Sequence, residues 1–220
     1  MKARPRAPLP RARSGYTLLE MLMVATLFAV SVGSVGMLLS SGNRAYQTST
    51  LESSLVQQGR RALDRIAATV TRASTPSVEV LATGAIWYDA VDLDCLEDVA
   101  ADGTKTWRPT AIRWTMEPDE LDDGLDNNGN GLVDEGVVEL VQDEGTAQEL
   151  RVVLARWVSE LGSGEEANGL DDDGDGLIDE GGLCVTRDGD RLSLQIHLER
   201  RDKLGTLVSK ALSTSVRTRN

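Results

Sequence analysis

The first part of the chain contains an uninterrupted apolar run. Residues 21–39 carry no charge over nineteen positions, and at about 1.5 Å per helical residue they can span the roughly 30 Å apolar core of a bilayer. In the following segment, 43–75, apolar residues recur at intervals of four and seven, as on one face of a helix. They are Leu51, Leu55, Ala62, Ile66 and Val70. The pattern predicts a long N-terminal helix with a transmembrane half (16–42) and an amphipathic half that ends before Pro76.

Beyond Pro76 the apolar positions recur with a period of two, as in strands. The short alternating or β-rich runs are 78–81, 85–88, 111–116, 137–141 and 192–198, and they are bounded by Gly, Asp and Pro. Residues 149–161 fit either a strand that passes into a short helix or a single helix. We therefore expect residues 76–220 to form a β-rich head. The predicted fold class is α+β, with the long helix packed on an antiparallel sheet.

The residues before the apolar run are strongly basic. Residues 1–15 contain three prolines and no acid, and their basic members are Lys2, Arg4, Arg6, Arg11 and Arg13. Positive charges before a membrane helix keep its N-terminus in the cytoplasm, so the head is expected on the extracytoplasmic side. A secretory signal peptide is the alternative, but its apolar core is shorter and ends in a small-residue cleavage site. The length of this run favours a single-pass anchor.

Glu20 lies at the start of the apolar run, where a carboxylate is costly and needs a partner. The run itself contains no cation. The sequence Arg-Ser-Gly-Tyr-Thr-Leu-Leu-Glu over 13–20, directly followed by Met-Leu-Met-Val-Ala, resembles the cleavage and methylation site of type IV prepilins and type II secretion pseudopilins. The family pattern is a basic leader, a cut after Gly, an aromatic residue first in the mature chain and Glu fifth.

This resemblance implies a specific maturation and role. Prepilin peptidase would remove the leader 1–15 between Gly15 and Tyr16, the new amine of Tyr16 would be methylated, and Glu20 would be the fifth residue; Tyr16 stands where the family more often has Phe. The implied function is a minor pseudopilin or minor pilin in the inner membrane that assembles with other pilin subunits. Whether it serves a type II secretion system, a type IV pilus or DNA uptake stays open.

The counterion for Glu20 can be inferred from charge alone. Cutting before Tyr16 creates an ammonium group at the membrane face, and Glu20 of a neighbouring subunit can neutralise it as helices pack. The alternative is an anchored extracytoplasmic adhesion module that never assembles, in which Glu20 is incidental; the candidate ligand of that module follows from the repeat described next.

The head contains an internal repeat. Residues 124–136 return at 169–181, within what we call the first loop (122–136) and the second loop (167–181). Counted from Asp126 and Asp171, each copy has oxygen side chains at the first, third and fifth positions, Gly at the sixth and a carbonyl at the seventh, as calcium loops do. These candidate ligands are Asp126, Asn128, Asn130 and the Leu132 carbonyl in the first loop, and Asp171, Asp173, Asp175 and the Leu177 carbonyl in the second.

The loops resemble those of dockerins, thrombospondin type 3 repeats and EF-hands, with one departure. The twelfth position, a bidentate Glu in EF-hands, is Val137 or Gly182 here. Closure would fall instead to an earlier acidic pair, helped by a residue three positions before each loop motif. These residues are Asp134, Glu135 and Asp123 in the first loop, and Asp179, Glu180 and Asn168 in the second. The resemblance implies two calcium ions.

Two solvated acidic turns are the alternative explanation of the repeat. The matched glycine and apolar positions favour a specified metal geometry over mere solubility. Flexible, oxygen-rich loops favour calcium over magnesium, and the lack of Cys or His in them disfavours transition metals.

Composition excludes several other functions. With 35 acidic and 23 basic residues the net charge is −12, which disfavours a nucleic-acid partner. The single histidine, His197, alternates with the apolar residues of its run and is predicted to face solvent. No Ser-His or Cys-His dyad is indicated, so the chain is not expected to be an enzyme. Cys95 and Cys184 lie on the predicted oxidising side, where either a disulfide or two free thiols is possible.

Overall fold

The computed structural model describes residues 15–74, 79–80 and 89–217. Within these residues, one helix precedes the strands of a single antiparallel sheet, which confirms the α+β class. The elements are α1 (Leu18–Thr71), β1 (Glu79–Val80), β2 (Ala90–Val99), β3 (Lys105–Met116), β4 (Gly136–Gln142), β5 (Leu150–Val158), β6 (Leu183–Asp188), β7 (Arg191–Arg201) and β8 (Leu207–Arg217). The strand order is β1-β2-β3-β4-β5-β7-β6, and β8 also pairs with β7.

The chain divides into a unit that ends at Tyr46 and a unit that begins at Gln47. In the first unit every described residue is exposed, including apolar side chains such as Phe28 at 70% and Met37 at 77%. A helix that is apolar all round requires a nonaqueous environment. This part of α1 is long and apolar enough to cross a membrane, which fits a membrane anchor or a signal sequence.

In the second unit α1 buries one face against the sheet. The buried residues follow spacings of three and four, as expected of a single helix face. They are Leu55, Gly59, Ala62, Leu63, Ile66 and Val70, and Leu51 is half-buried. Four of the five residues of the predicted apolar face are thus buried, and the fifth, Leu51, is half-buried.

The helix ends at Thr71, a few residues earlier than the end predicted from Pro76. Ala73 forms a bridge with Cys95, and the backbone N–H of Ser74 donates to the Asp94 carbonyl at 3.0 Å. Pairing with β2 therefore ends the helix before Pro76 does.

Alternate residues of the strands complete the core beneath the helix. β2 contributes Val91, Leu93 and Cys95, and β7 contributes Leu192, Leu194, Ile196 and Leu198. Because successive strand residues point to opposite faces, the other faces of these strands are free to carry polar groups.

Most of the strand predictions can be compared with the structure. The runs 111–116, 137–141 and 192–198 lie in β3, β4 and β7, and the ambiguous segment 149–161 contains strand β5. Of 78–81 only Glu79–Val80 is described, as β1, while 85–88 and the leader through residue 14 lie outside the described residues. β2 and β8 were not predicted.

The prediction that His197 faces solvent is wrong. The side chain does point away from the apolar face of β7, but it is only 5% exposed. The residues that follow β5 cover it: the Oγ of Ser159 lies 2.9 Å from its Nδ1, and the Leu161 carbonyl lies 3.3 Å from the same atom. Alternation places a side chain on a face and does not say what covers that face.

Cys95 and Cys184 are both buried free thiols, so the structure has no disulfide between them. Cys95 belongs to the core beneath the helix, and its thiol donates to the Thr69 carbonyl at 3.8 Å. Cys184 lies between Leu183 and Val185, which face that core, so it points to the opposite side of the sheet. Burial, helped by Glu180 and Asp175, raises the pKa of Cys184 to about 12.

Gly59 packs closely against side chains of the sheet. A Cβ built there would lie 2.5 Å from Cδ1 of Leu212 and 3.0 Å from Cδ1 of Leu198. Gly59→Leu should therefore overpack this contact and lower the free energy of unfolding by about 1–3 kcal/mol, measured by thermal or denaturant unfolding of the full chain in detergent. Gly42→Leu is the control, since no atom lies within 4 Å of its Cβ position. Equal stability of the two variants would contradict this packing.

Candidate metal centre

The two acidic loops lie in the connections that join β3 to β4 and β5 to β6. These connections, 117–135 and 159–182, contain eight and nine acidic residues and no Lys or Arg. The rest of the chain carries 18 acidic residues against 23 basic ones, so the negative net charge comes entirely from the two connections. Charge concentrated in this way is repulsive unless solvent or a cation relieves it.

In the second connection the structure brings two overlapping groups of carboxylates together. Glu165, Asp173 and Glu180 form one group, and Asp171, Asp173 and Asp175 form the other. In each group, one oxygen from every member lies within 4.8 Å of the others. Four of these five residues were predicted as ligands from the sequence, and Glu165 was not.

Glu180 is the least satisfied member of this cluster. Its side chain is 0% exposed, and neither carboxylate oxygen has a hydrogen-bond partner among the described residues. Burial, together with the nearby carboxylates of Glu165, Asp175 and Asp173, raises the pKa of Glu180 to about 7. A buried carboxylate without a donor is costly unless a cation accompanies it.

Gly162 permits this burial. A Cβ at that position would lie 2.5 Å from Oε1 of Glu180, and the Gly162 N–H donates to the Glu180 carbonyl at 2.6 Å. The backbone of the connection thus closes directly over the carboxylate, and a side chain at residue 162 would displace it.

Glu165 organises the backbone of the second loop. Its Oε1 accepts the N–H groups of Asp172 and Asp173, both at 3.0 Å, and its Oε2 accepts that of Asp179 at 3.1 Å. Glu120, the residue 45 positions earlier, accepts the N–H groups of Asn127 and Asn128 in the same way. Extending the repeat by four residues towards the N-terminus would have revealed this pair.

The acids at the first loop position close each turn. Asp171 accepts the N–H groups of Gly174 at 2.7 Å and Gly176 at 3.0 Å. Asp126 accepts those of Gly129 at 2.7 Å and Gly131 at 2.8 Å. The glycines have positive φ, so the turn geometry predicted from the repeat is present in both copies.

The acidic pairs that end the loops separate into two roles. Asp134 accepts the N–H of Gly124 at 2.8 Å, and Asp179 accepts that of Gly169 at 2.8 Å, so these carboxylates hold the start of each loop. Glu135 is instead buried like Glu180, and its Oε1 accepts the side-chain amides of Asn128, at 2.8 Å, and Asn130. The geometry favours the glutamates over the aspartates as metal ligands.

The possible extra ligands, Asp123 and Asn168, each form a side-chain hydrogen bond with the residue four positions later. Asp123 is the acceptor in its pair, whereas Asn168 is the donor in its pair. In the first loop the Asn127 amide donates to Oδ1 of Asp123 at 3.0 Å, and in the second the Asn168 amide donates to Oδ2 of Asp172 at 2.8 Å. These side chains stabilise the loop entrances. The carbonyls of Leu132 and Leu177 were predicted ligands. Leu132 is buried, and Leu177 is half-buried.

The first loop lies near the start of the second connection. Burial, with Asp122 and Asp134 of the first loop nearby, raises the pKa of Glu160 at the start of the second connection. Arg201, at the end of β7, donates from Nε to the Gly131 carbonyl, so a guanidinium also contacts the first loop.

Ser159 and His197 form a hydrogen-bonded pair that sequence reasoning did not anticipate. The Ser159 hydroxyl donates to the Leu161 carbonyl, and His197 Nε2 lies 3.7 Å from Oε1 of Glu199. The hydroxyl is thus held against the backbone, and the pair fixes the chain where it leaves β5.

At the other end of the chain, Thr17 and Glu20 form a capping box. The Thr17 N–H donates to Oε2 of Glu20 at 2.9 Å, and the Glu20 N–H donates to Oγ1 of Thr17 at 3.2 Å. These reciprocal bonds satisfy N–H groups at the helix start. Gly15 and Tyr16 lie just outside the helix and are exposed. Glu20 thus has a hydrogen-bond partner within its own chain.

A comparison of the chain with protein-family profiles, characterised proteins and solved structures finds no match.

Substitution of Glu180 tests whether its buried charge destabilises the folded chain when no cation is bound. In the presence of chelator and above the pKa of Glu180, Glu180→Gln should raise the free energy of unfolding by about 1–3 kcal/mol, because a buried charge without a partner is removed. Thermal unfolding of the full chain in detergent measures this change. Glu166→Gln removes the same charge from an exposed position of the same connection and should have little effect. An unchanged or lower stability of Glu180→Gln would contradict the proposed repulsion.

Proposed function

We propose that this chain is a pilin-like structural subunit, a minor pseudopilin of a type II secretion system or a minor pilin of a type IV pilus. Prepilin peptidase would cut it between Gly15 and Tyr16, and methylation of the Tyr16 amine would follow. The apolar half of α1 would hold it in the inner membrane, N-terminus inside, with a calcium-stabilised head on the periplasmic side.

The observation that carries this proposal is the position of the helix start relative to the cleavage motif. The helix begins at Leu18, so the Gly15–Tyr16 bond precedes it and both flanking residues are exposed. A peptidase needs an accessible, nonhelical bond. The same helix then provides an apolar half for the membrane and an amphipathic half that completes the head.

Assembly would follow from charge neutralisation. Cleavage would leave an ammonium group on Tyr16 and a carboxylate on Glu20, both next to the apolar run, and pairing them between neighbouring subunits would lower the cost of each in lipid. The capping box engages Oε2 of Glu20 in hydrogen bonds with Thr17. The other oxygen, Oε1, would remain for the amine of a neighbour.

Calcium is the cation that best fits the loops. Carboxylate and carbonyl oxygens are hard ligands, and loops that can offer more than six of them suit the large, flexible coordination sphere of calcium better than the strict octahedron of magnesium. Binding would relieve the repulsion around Glu180 and fix two long connections at one end of the sheet.

A second candidate is an anchored extracytoplasmic calcium-binding module that does not assemble. The capping box favours it, because Thr17 accounts for Glu20 without a neighbouring subunit. The two candidates differ in whether the charge of Glu20 matters or only its hydrogen bonds.

The charge of Glu20 and its hydrogen bonds can be tested separately in cells that contain prepilin peptidase. Mass spectrometry of the membrane-extracted chain should find Tyr16 as the N-terminal, methylated residue. Glu20→Gln keeps an acceptor for the capping box but removes the charge, and we expect it to be processed and yet excluded from sheared filaments. Thr17→Val, which removes the hydroxyl but keeps the charge, should still be incorporated.

Normal incorporation of Glu20→Gln would favour the anchored module. Retention of residues 1–15 in the wild-type chain would overturn the pilin proposal, whatever the result for the variants.

The second prediction concerns calcium. A cation at one hundred times its Kd stabilises the folded state by about 2.7 kcal/mol per site, which at roughly 2–4 °C per kcal/mol raises the melting temperature by about 5–10 °C. The full chain in detergent should show this rise with calcium and lose it with chelator. An equal effect of magnesium would contradict the preference for calcium, and an unchanged melting temperature would remove the metal from the proposal.

A further inference from the structure

The two loops share a backbone motif but differ at the two central ligand positions. The first loop has Asn128 and Asn130 where the second has Asp173 and Asp175. Including the glutamates that organise and close each loop, the second centre has five carboxylates, whereas the first has three carboxylates and two amides. The difference changes what each loop can do without a cation.

The first loop supplies its own donors. The amides of Asn128 and Asn130 both donate to Oε1 of the buried Glu135, which leaves only Oε2 without a partner. Arg201 adds a positive charge beside this loop: its Cδ lies 2.8 Å from the position of a Cβ on Gly131. Neutral donors and a nearby guanidinium thus do part of what a cation would do.

Among the described residues, no such donors serve Glu180 of the second loop. Glu180 is fully buried with both oxygens unpartnered, and it is directed at the carboxylates of Glu165 and Asp173. Gly176 is the equivalent of Gly131, and no described atom lies within 4 Å of its Cβ position, where Arg201 lies in the first loop. The carboxylates at 173 and 175 cannot donate to Glu180 in the way the amides donate to Glu135.

We propose that the two loops are unequal cation sites: the second loop binds calcium tightly and depends on it for its structure, and the first binds weakly and keeps its structure without it. This inference rests on the calcium-binding part of the proposed function. Its ligands at the tight site are Asp171, Asp173, Asp175 and Glu180, with Glu165 holding the loop backbone around them.

The two affinities are expected to differ because the two loops differ in their cation-free state. At the second loop an ion replaces repulsion between carboxylates, so its binding free energy includes the relief of that repulsion. At the first loop an ion must displace the amide groups from Glu135 and bind beside Arg201. Both effects weaken the first site relative to the second.

The test is a calorimetric titration of the full chain in detergent with calcium chloride. We expect two binding events whose Kd values differ by at least tenfold. Glu180→Gln should remove the tight event, and Glu135→Gln, the matched change in the first loop, should remove the weak one. Trp114 lies against Gly136, next to Glu135, so a variant that keeps Trp114 as the only one of the four tryptophans provides a local fluorescence readout of the first loop.

Exchanging the central residues tests the cause of the inequality. The double variant Asp173→Asn/Asp175→Asn should weaken the tight event at least tenfold, and it removes repulsion, so it should fold in chelator at least as well as the wild type. Asn128→Asp/Asn130→Asp should strengthen the weak event.

Two equal affinities, or loss of the weak event in Glu180→Gln, would overturn the inequality while leaving calcium binding intact. The complete absence of calcium binding would overturn both this inference and the calcium part of the proposed function. Neither result bears on cleavage between Gly15 and Tyr16, which is measured separately.

Discussion

The structure depends on one helix whose two halves meet different environments. Through Tyr46 its apolar side chains are exposed, and from Leu55 to Val70 the same helix buries a face against the sheet. Burial of apolar area is the main force for folding, so the second half holds the head together. The first half has nothing to bury against among the described residues of its own unit, and a lipid environment would satisfy it. An account of function must explain both halves.

A second constraint is the placement of charge. The sheet and helix form a conventional apolar core, while the connections that join β3 to β4 and β5 to β6 contain the whole excess of acid. Most of these carboxylates accept backbone N–H groups and so build the turns. Glu180 does not, and in the part of the chain that the structure describes neither of its oxygens has a hydrogen-bond partner, which separates a cation site from an ordinary acidic turn.

Glu20 illustrates how local and assembly roles can share one residue. The Thr17–Glu20 capping box gives a structural reason for an acid at the third helical position. A counterion for a neighbouring amine gives another reason, which applies only to a processed, assembled chain. The two are compatible because hydrogen bonding to Thr17 uses Oε2, but only the second depends on charge.

The sequence by itself determined the features that depend on local periodicity and spacing. These were the long helix, its amphipathic face, strands β3, β4 and β7, and both repeated turns, because helix and strand periods and glycine positions are written directly in the chain. β2 and β8 were missed because the acidic residues of β2 and the three serines of β8 weaken the strand signal. Only the tertiary structure decided that His197 is covered, that the two cysteines lie on opposite faces, and that Glu180 rather than Asp179 points into its loop. Each of these depends on which distant segment packs against a side chain, and a one-dimensional pattern does not contain that information.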